Sequence, residues 1–362
     1  MARRLIVTND FPPRRGGIET FVFEVARRFP PGEVVVYTSA EPGAAEFDRG
    51  LPFPVVRDRA RTLLPTARVA RTARRLIDVH GCDRVWFGAA APLGLLAGRL
   101  GVPSIATTHG HEVWWAGVPG ARGVLRRIGE RADVVTYLTE YTRRRIAPAL
   151  GPDARLERLV PGVDPDVFRP DVDGTDVRRR FGLGGRPVVL TVSRLVARKG
   201  QDRLIRAMPR VREAVPDATL LIVGGGPREA RLRDMAGDGV VFAGSVPHAE
   251  LPPYYAAADA FAMPCRSRRL GLETEGLGIV FLEAAAAGLP VLAGDSGGAP
   301  ETVRHGETGY VVDPASDDEI AARLVDLLVR PGAMGERGRA RARDEWSWDG
   351  TYRAFRRLTV GA

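Results

Sequence analysis

Cysteine is nearly missing from this chain of 362 residues. Cys82 and Cys265 lie far apart without metal-ligand neighbours, which excludes a disulfide framework and implies a reducing, intracellular compartment. Long hydrophobic runs are missing too. After Met1-Ala2-Arg3-Arg4 the apolar stretch is only Leu5-Ile6-Val7, right for a buried strand but too short for a signal peptide or a membrane span. No internal repeat with a period of about 20–50 residues is visible. There is no Walker A loop, and no Gly-x-Gly-x-x-Gly fingerprint with an acidic partner, which leaves a dehydrogenase reading without its main support. Neither a Ser/His/Asp triad nor a Cys/His pair can be recognised.

What is present describes a globular protein with ample core, 44% hydrophobic and 27% charged, and long enough for two domains. The net charge is +9, from 53 basic and 44 acidic residues, and nearly all of the positive charge is arginine. Such an excess suits an anionic partner (nucleic acid, nucleotide or phospholipid headgroup) without choosing among them.

Strand-like and helix-like patterns alternate, the mark of βα units around parallel sheets. Strands are expected at Leu5–Thr8, Val34–Tyr37, Val85–Phe87, Ser104–Thr108 and Val134–Leu138, with helices at Ile18–Phe29, Leu93–Leu100 and Val124–Arg131. Pro161, Pro165, Pro170 and Gly174 then punctuate a candidate linker. A second series follows, with strands at Val188–Val192, Thr219–Val223, Val240–Phe242, Ala260–Met263 and Pro290–Ala293, and helices at Gln201–Val215, Ile279–Ala287 and Asp317–Leu328. The fold class is α/β, with domains at 1–165 and 170–345. A basic amphipathic helix within 346–362 is expected to pack back on the first domain.

The richest stretch is Glu275-Gly276-Leu277-Gly278-Ile279-Val280-Phe281-Leu282-Glu283, a glycine-broken loop entering a helix. Open amides at such a helix start attract anions, phosphate above all. Glu275 and Glu283 bracket it, and Glu283 lies in an apolar run where a carboxylate needs partners. Phosphate-seeking amides between the two make a glycosidase pair a poor reading. Arg194 and Lys199 flank a loop directly after the strand Val188–Val192, as a diphosphate clamp would, while Arg198 reads as a solvated basic turn. Gly16-Gly17 offer bare backbone after the first strand, beside Asp10. His109 ends the strand Ser104–Thr108, where sites form in open α/β sheets. His109, His111 and Glu112 lack the helical spacing of zinc hydrolases, and Asp171-Val172-Asp173 reads as loop, so no metal site is expected.

In order and spacing, these residues resemble the retaining glycosyltransferases of family 4. The likeness runs through Gly16-Gly17-Ile18, His109, Pro161-Gly162-Val163-Asp164, Arg194 with Lys199-Gly200, Gly224-Gly225-Gly226-Pro227, and Glu275 with Glu283. It implies the GT-B fold, two facing Rossmann-like domains with an interdomain cleft. It also implies a donor diphosphate held by Arg194, Lys199 and the backbone of Gly16, Gly17, Gly278, Ile279 and Val280. Glu275 would contact the transferred sugar, Glu283 the ribose hydroxyls, and Val246 and Leu251 the base. His109 would orient and polarise the donor sugar, and no metal is implied.

A narrower likeness lies in Asn9-Asp10-Phe11-Pro12-Pro13-Arg14, His109-Gly110-His111-Glu112-Val113-Trp114-Trp115 and Met263-Pro264-Cys265-Arg266. These look like the actinobacterial branch that moves mannose from GDP-mannose, as substrate rather than cofactor, to phosphatidylinositol mannosides. That implies an α-1,6-type product, an anionic lipid partner, and peripheral attachment at the cytoplasmic face of the cell membrane. Asp10 and Trp114 become acceptor candidates. Arg68, Arg71 and Arg75, on one face of a helix begun by Pro65, become membrane contacts, with Val69, Ala73 and Leu76 on the neighbouring face. Neither a nucleic acid nor an obligate protein partner is implied. Two rivals stay open: a soluble family member using UDP-glucose or another nucleotide sugar, and a nucleotide-sugar-binding protein without turnover.

Overall fold

The computed structural model describes residues 3–14 and 16–360. Arg15, inside the expected first loop, and Met1, Ala2, Gly361 and Ala362 lie outside the described residues. The chain forms two compact units, one of residues 1–161 and 348–362, the other of residues 162–347.

In the first unit seven strands run parallel: β1 Arg4–Thr8, β2 Val34–Thr38, β3 Val55–Arg57, β4 Arg84–Phe87, β5 Ser104–Thr107, β6 Val134–Tyr137 and β7 Leu156–Arg158. Their order is β3-β2-β1-β4-β5-β6-β7. The sheet is buried on both faces, which is why its strands read as continuous apolar runs. Leu5 and Val7 of β1 enter one core and Ile6 the other, as alternation along a strand demands. The Ile6 side is closed by the helix Gly17–Ala26 and by the C-terminal helix Trp348–Val360, whose Phe355 ring lies 4.5 Å from Trp86. Arg4 is buried at the same place and donates to Glu33 at 2.9 Å.

The second unit repeats the plan with β8 Val188–Val192, β9 Thr219–Val223, β10 Val240–Gly244, β11 Ala260–Met263, β12 Val291–Gly294 and β13 Gly309–Val312, ordered β10-β9-β8-β11-β12-β13. In both units the winding reverses beside the first strand, between β1 and β4 and between β8 and β11. Ligands of open α/β sheets bind outside the carboxyl ends of the strands at that reversal.

The ten strands expected from the sequence fall within a residue or two of their places, but β3, β7 and β13 were not anticipated and several helices differ. The helix expected at Leu93–Leu100 is a single 3₁₀ turn, Leu93–Leu96, because the chain leaves helical geometry at Ala97 (ψ 144°) and Gly98 follows at φ 73°. The helix Met334–Glu345 was not anticipated. Its buried stripe is Met334, Gly335, Gly338 and Ala342, small residues that leave little hydrophobic signal, yet Gly335 packs so tightly that a Cβ would meet the Gly288 carbonyl. The proline-marked stretch after Pro161 is not a free linker. Phe168 is buried against Tyr255 at 5.4 Å, and Gly174 lies against the Ala257 amide.

Candidate active site

The first unit gathers its candidates at the carboxyl ends of β1, β4 and β5. His109 Nε2 donates to the Gly88 carbonyl, just beyond β4, at 2.6 Å, which leaves Nδ1 as the acceptor of a neutral imidazole. Its ring stands edge-on to Phe21 at 5.2 Å. Burial drives its pKa below the ordinary histidine value, against the opposing pull of Glu112. The fully buried Glu112 carboxylate fixes the loop by accepting the His109 and Gly110 amides at 2.9 and 3.1 Å. Asp10 is pinned through its amide to Thr8 Oγ1 at 2.9 Å, and Trp114, five residues beyond His109, is 47% exposed.

Gly16 lies against a carboxylate. The buried Glu19, third residue of the helix Gly17–Ala26, folds back so far that a Cβ on Gly16 would meet its Oε2. Arg14 lies 3.2 Å from Oε1. A carboxylate at this position lies near the helix start, the end that the sequence reading left open for phosphate. Burial raises the Glu19 carboxyl pKa.

The proposed membrane helix, Ala67–His80, is capped by Thr66, whose hydroxyl accepts the Val69 amide. Two parts of the expectation are corrected. Val69, Ala73 and Ile77 are buried in the core while Leu76 is only partly so, and the apolar face is therefore spent on the sheet. Arg68 is not a free cation: it pairs with Asp58 at 2.7 and 3.1 Å and holds that carboxyl at about 2, with Tyr37 donating to the same group at 2.6 Å. Arg71 and Arg75 are exposed, as are Leu64 and Val79 at the two ends.

In the second unit the candidates surround the reversal between β8 and β11. The loop Ser193–Gly200 is stapled by buried Gln201, whose Nε2 donates to Ser193 Oγ at 2.8 Å and to the Arg194 carbonyl at 3.2 Å. Gly200, at φ 79°, presses on the Pro264 carbonyl where any Cβ would collide. Arg194 points to solvent. Lys199 Nζ and Arg198 Nη1 both reach Oε2 of buried Glu275 at 2.6 Å. Arg198 is thus no solvated turn residue, because Glu275 draws it in. Burial works to raise the Glu275 carboxyl, and Lys199 and Arg198 outweigh it, holding the group below the usual carboxylate range.

Beyond Glu275, Gly278 takes φ 89° and opens the helix Ile279–Ala286 with no side-chain cap. Its first amides therefore remain available to an anion. Glu283, 3% exposed, accepts Tyr255 Oη on Oε2 at 2.7 Å and His248 Nε2 on Oε1 at 2.8 Å. Among the described residues no group of three or more His, Cys, Asp or Glu side chains is arranged to hold a metal.

The region 175–344 matches the family described as Glycosyl transferases group 1, and 15–167 matches Glycosyltransferase Family 4. The GDP-mannose-dependent alpha-(1-6)-phosphatidylinositol monomannoside mannosyltransferase of Mycolicibacterium smegmatis is 53% identical over 95% of this chain and 94% of its own. The chain belongs to glycosyltransferase family 4. A second family 4 relative, the GDP-mannose-dependent monoacylated alpha-(1-6)-phosphatidylinositol monomannoside mannosyltransferase of Corynebacterium glutamicum, is 46% identical over 96% of this chain and 95% of its own. HepE of Anabaena, crystallised with UDP and glucose, shares the fold at a TM-score of 0.81 and 19% identity, over 100% of both chains. The expected pair of Rossmann-like, parallel-sheet domains is what the chain forms.

For this family 4 transferase, the structure brings Lys199, Glu275, Gly278 and Glu283 to one edge of the second unit, and His109, Asp10 and Gly16 to one edge of the first. Val246 and Leu251 fare differently. Leu251 is buried at the start of the helix Pro252–Ala256, and the side chain that reaches Glu283 from that region is His248. Sequence reasoning missed His248, Tyr255 and Arg198. One unused signal was strong: Lys199 is the sole lysine among 53 basic residues. A chain that uses arginine everywhere else keeps an ammonium here, where a compact point charge differs from a planar fork.

Proposed function

We propose that the chain moves mannose from GDP-mannose to a phosphatidylinositol mannoside, forming an α-1,6-type linkage with retention. The observation that carries this reading is the Lys199–Glu275–Arg198 cluster beside the uncapped helix start at Gly278, in a chain 53% identical to an enzyme named for that reaction. The second unit takes the donor. Arg194, Lys199 and the Gly278–Val280 amides receive the diphosphate and stabilise it as it leaves. Glu275 holds the sugar and Glu283 the ribose. The first unit supplies His109, whose Nδ1 accepts a donor-sugar hydroxyl, and Asp10 and Trp114 meet the acceptor. The acceptor attacks on the face the diphosphate leaves, and the diphosphate helps take its proton. The reaction needs no metal.

Incubation with GDP-mannose and a phosphatidylinositol monomannoside, with and without chelator, is expected to give one added hexose in an α-1,6 linkage by mass and linkage analysis. Transfer from UDP-sugars but not from GDP-mannose overturns the donor assignment.

Lipid binding works through charge at the cytoplasmic membrane face. No described helix is long and apolar enough to cross a membrane, and the apolar face of Ala67–His80 is already buried. Each exposed arginine near anionic lipid contributes about 1 kcal/mol. Arg71→Gln with Arg75→Gln is expected to weaken cosedimentation with anionic vesicles by roughly 10- to 30-fold at low salt, with a smaller effect at high salt. Unchanged binding removes this helix from the interface.

Arg198→Ala should shift the acid limb of the pH–rate profile to higher pH, because Glu275 loses one of its two cations and its depressed pKa rises. Arg198→Lys should restore it. A limb that stays in place removes Arg198 from the site.

A further inference from the structure

Both oxygens of Glu283 are already engaged by the protein, and the two partners are unlike. Tyr255 is wholly buried, its ring stacked on Phe261 at 5.9 Å and edge-on to Phe168 at 5.4 Å, so it has no room to leave Oε2. His248 sits on the 3₁₀ turn His248–Glu250 after β10, its side chain 58% exposed and lying beside Phe168 at 5.6 Å. A carboxylate buried among apolar side chains is costly without donors. His248 supplies the donor to Oε1, and its position on the surface lets it give that place up.

We propose that His248 is an internal competitor that occupies the ribose subsite and yields only to a ligand bringing vicinal hydroxyls, while Tyr255 is the positioning residue that keeps Glu283 aimed. This rests on the reading of Glu283 as the ribose acceptor. A ribonucleoside diphosphate replaces the His248 hydrogen bond with its own hydroxyl donors. A ligand without the diol leaves His248 in place and gains nothing from Glu283. Once the nucleotide product loosens, His248 returns to Oε1 and competes against rebinding.

The test is calorimetric titration of the full chain with GDP and with 2′,3′-dideoxy-GDP, for wild type, His248→Ala, His248→Gln and Glu283→Ala. Thermal melts check that each variant is folded. Removing one hydrogen bond to a carboxylate corresponds to roughly a 3- to 30-fold change. His248→Ala is expected to tighten GDP by a factor in that range and leave dideoxy-GDP unchanged. His248→Gln, which restores a donor, returns GDP affinity toward wild type. GDP binding that is unchanged or weaker in His248→Ala, or equal tightening of both ligands, overturns the proposal. Glu283→Ala separates the two levels: if it leaves GDP affinity untouched, the ribose reading itself fails, whatever His248 does.

Discussion

Replacing Lys199 with alanine is expected to lower kcat/KM for the donor by roughly 10- to 150-fold. That range corresponds to about 1.5–3 kcal/mol for a lost hydrogen bond to a charged group. Two physical losses combine. The diphosphate loses the ammonium that would face it, and buried Glu275 loses one of the two cations on its Oε2. Arg198 is then the one cation left on Glu275 Oε2. Lys199→Arg is expected to recover only part of the activity, since a planar guanidinium does not reproduce a compact charge at 2.6 Å from Glu275. The single lysine also makes a direct readout possible. Reductive ¹³C-methylation should give one side-chain signal besides the chain's amino terminus, and GDP should shift it. Near-wild-type kinetics in Lys199→Ala, or a signal indifferent to GDP, would refute the diphosphate role.

His109→Ala is expected to lower kcat by about 10²–10³-fold, the usual cost of removing one preorganised polar contact to the reacting group, while leaving the affinity for GDP within about twofold. The ring is anchored at one nitrogen by Gly88 and stands edge-on to Phe21, so the substitution removes the acceptor at Nδ1. The pH dependence follows from the direction of its shift. Burial depresses the pKa, so the imidazole stays neutral through the ordinary histidine range, and protonation abolishes its acceptor only at lower pH. Activity that depends on His109 should therefore hold as pH falls through about 6.5 and decline only below it. Stability has the same sign. The folded state binds fewer protons than the unfolded one once pH drops toward 6.5, so the contribution of His109 is present above that value and lost on acidification. A kcat that survives His109→Ala, or an activity limb centred above 6.5 that vanishes with it, would sink this assignment.

Much of the fold was legible because both sheets are parallel and buried on both faces. Their strands then show as apolar blocks between helical stretches, and the strand positions hold to a residue or two. Weak local signal explains part of what was missed. The edge strands Val55–Arg57 and Leu156–Arg158 are only three residues long, and the helix Met334–Glu345 packs through glycine and alanine, so neither carries much apolar signal. Leu93–Leu100 failed the other way, its leucines suggesting a helix that the chain leaves at Ala97.

The site divides along the same line. Glycine-broken loops followed by helices identified where backbone could meet phosphate, and the spacing of Arg194, Lys199, Glu275 and Glu283 carried the family resemblance. These are local signals, written into consecutive residues, so the sequence by itself determined them. Partnership is not local. That Arg198 turns onto Glu275, 77 residues away, depends on β8 lying beside β11. That His248 and Tyr255 take the two oxygens of Glu283 depends on the chain after β10 packing against the helix that follows β11. Burial then decides what each pairing means, because a carboxylate withdrawn from water must hold its donors until a ligand replaces them. Tertiary structure alone could show which groups already occupy those carboxylates.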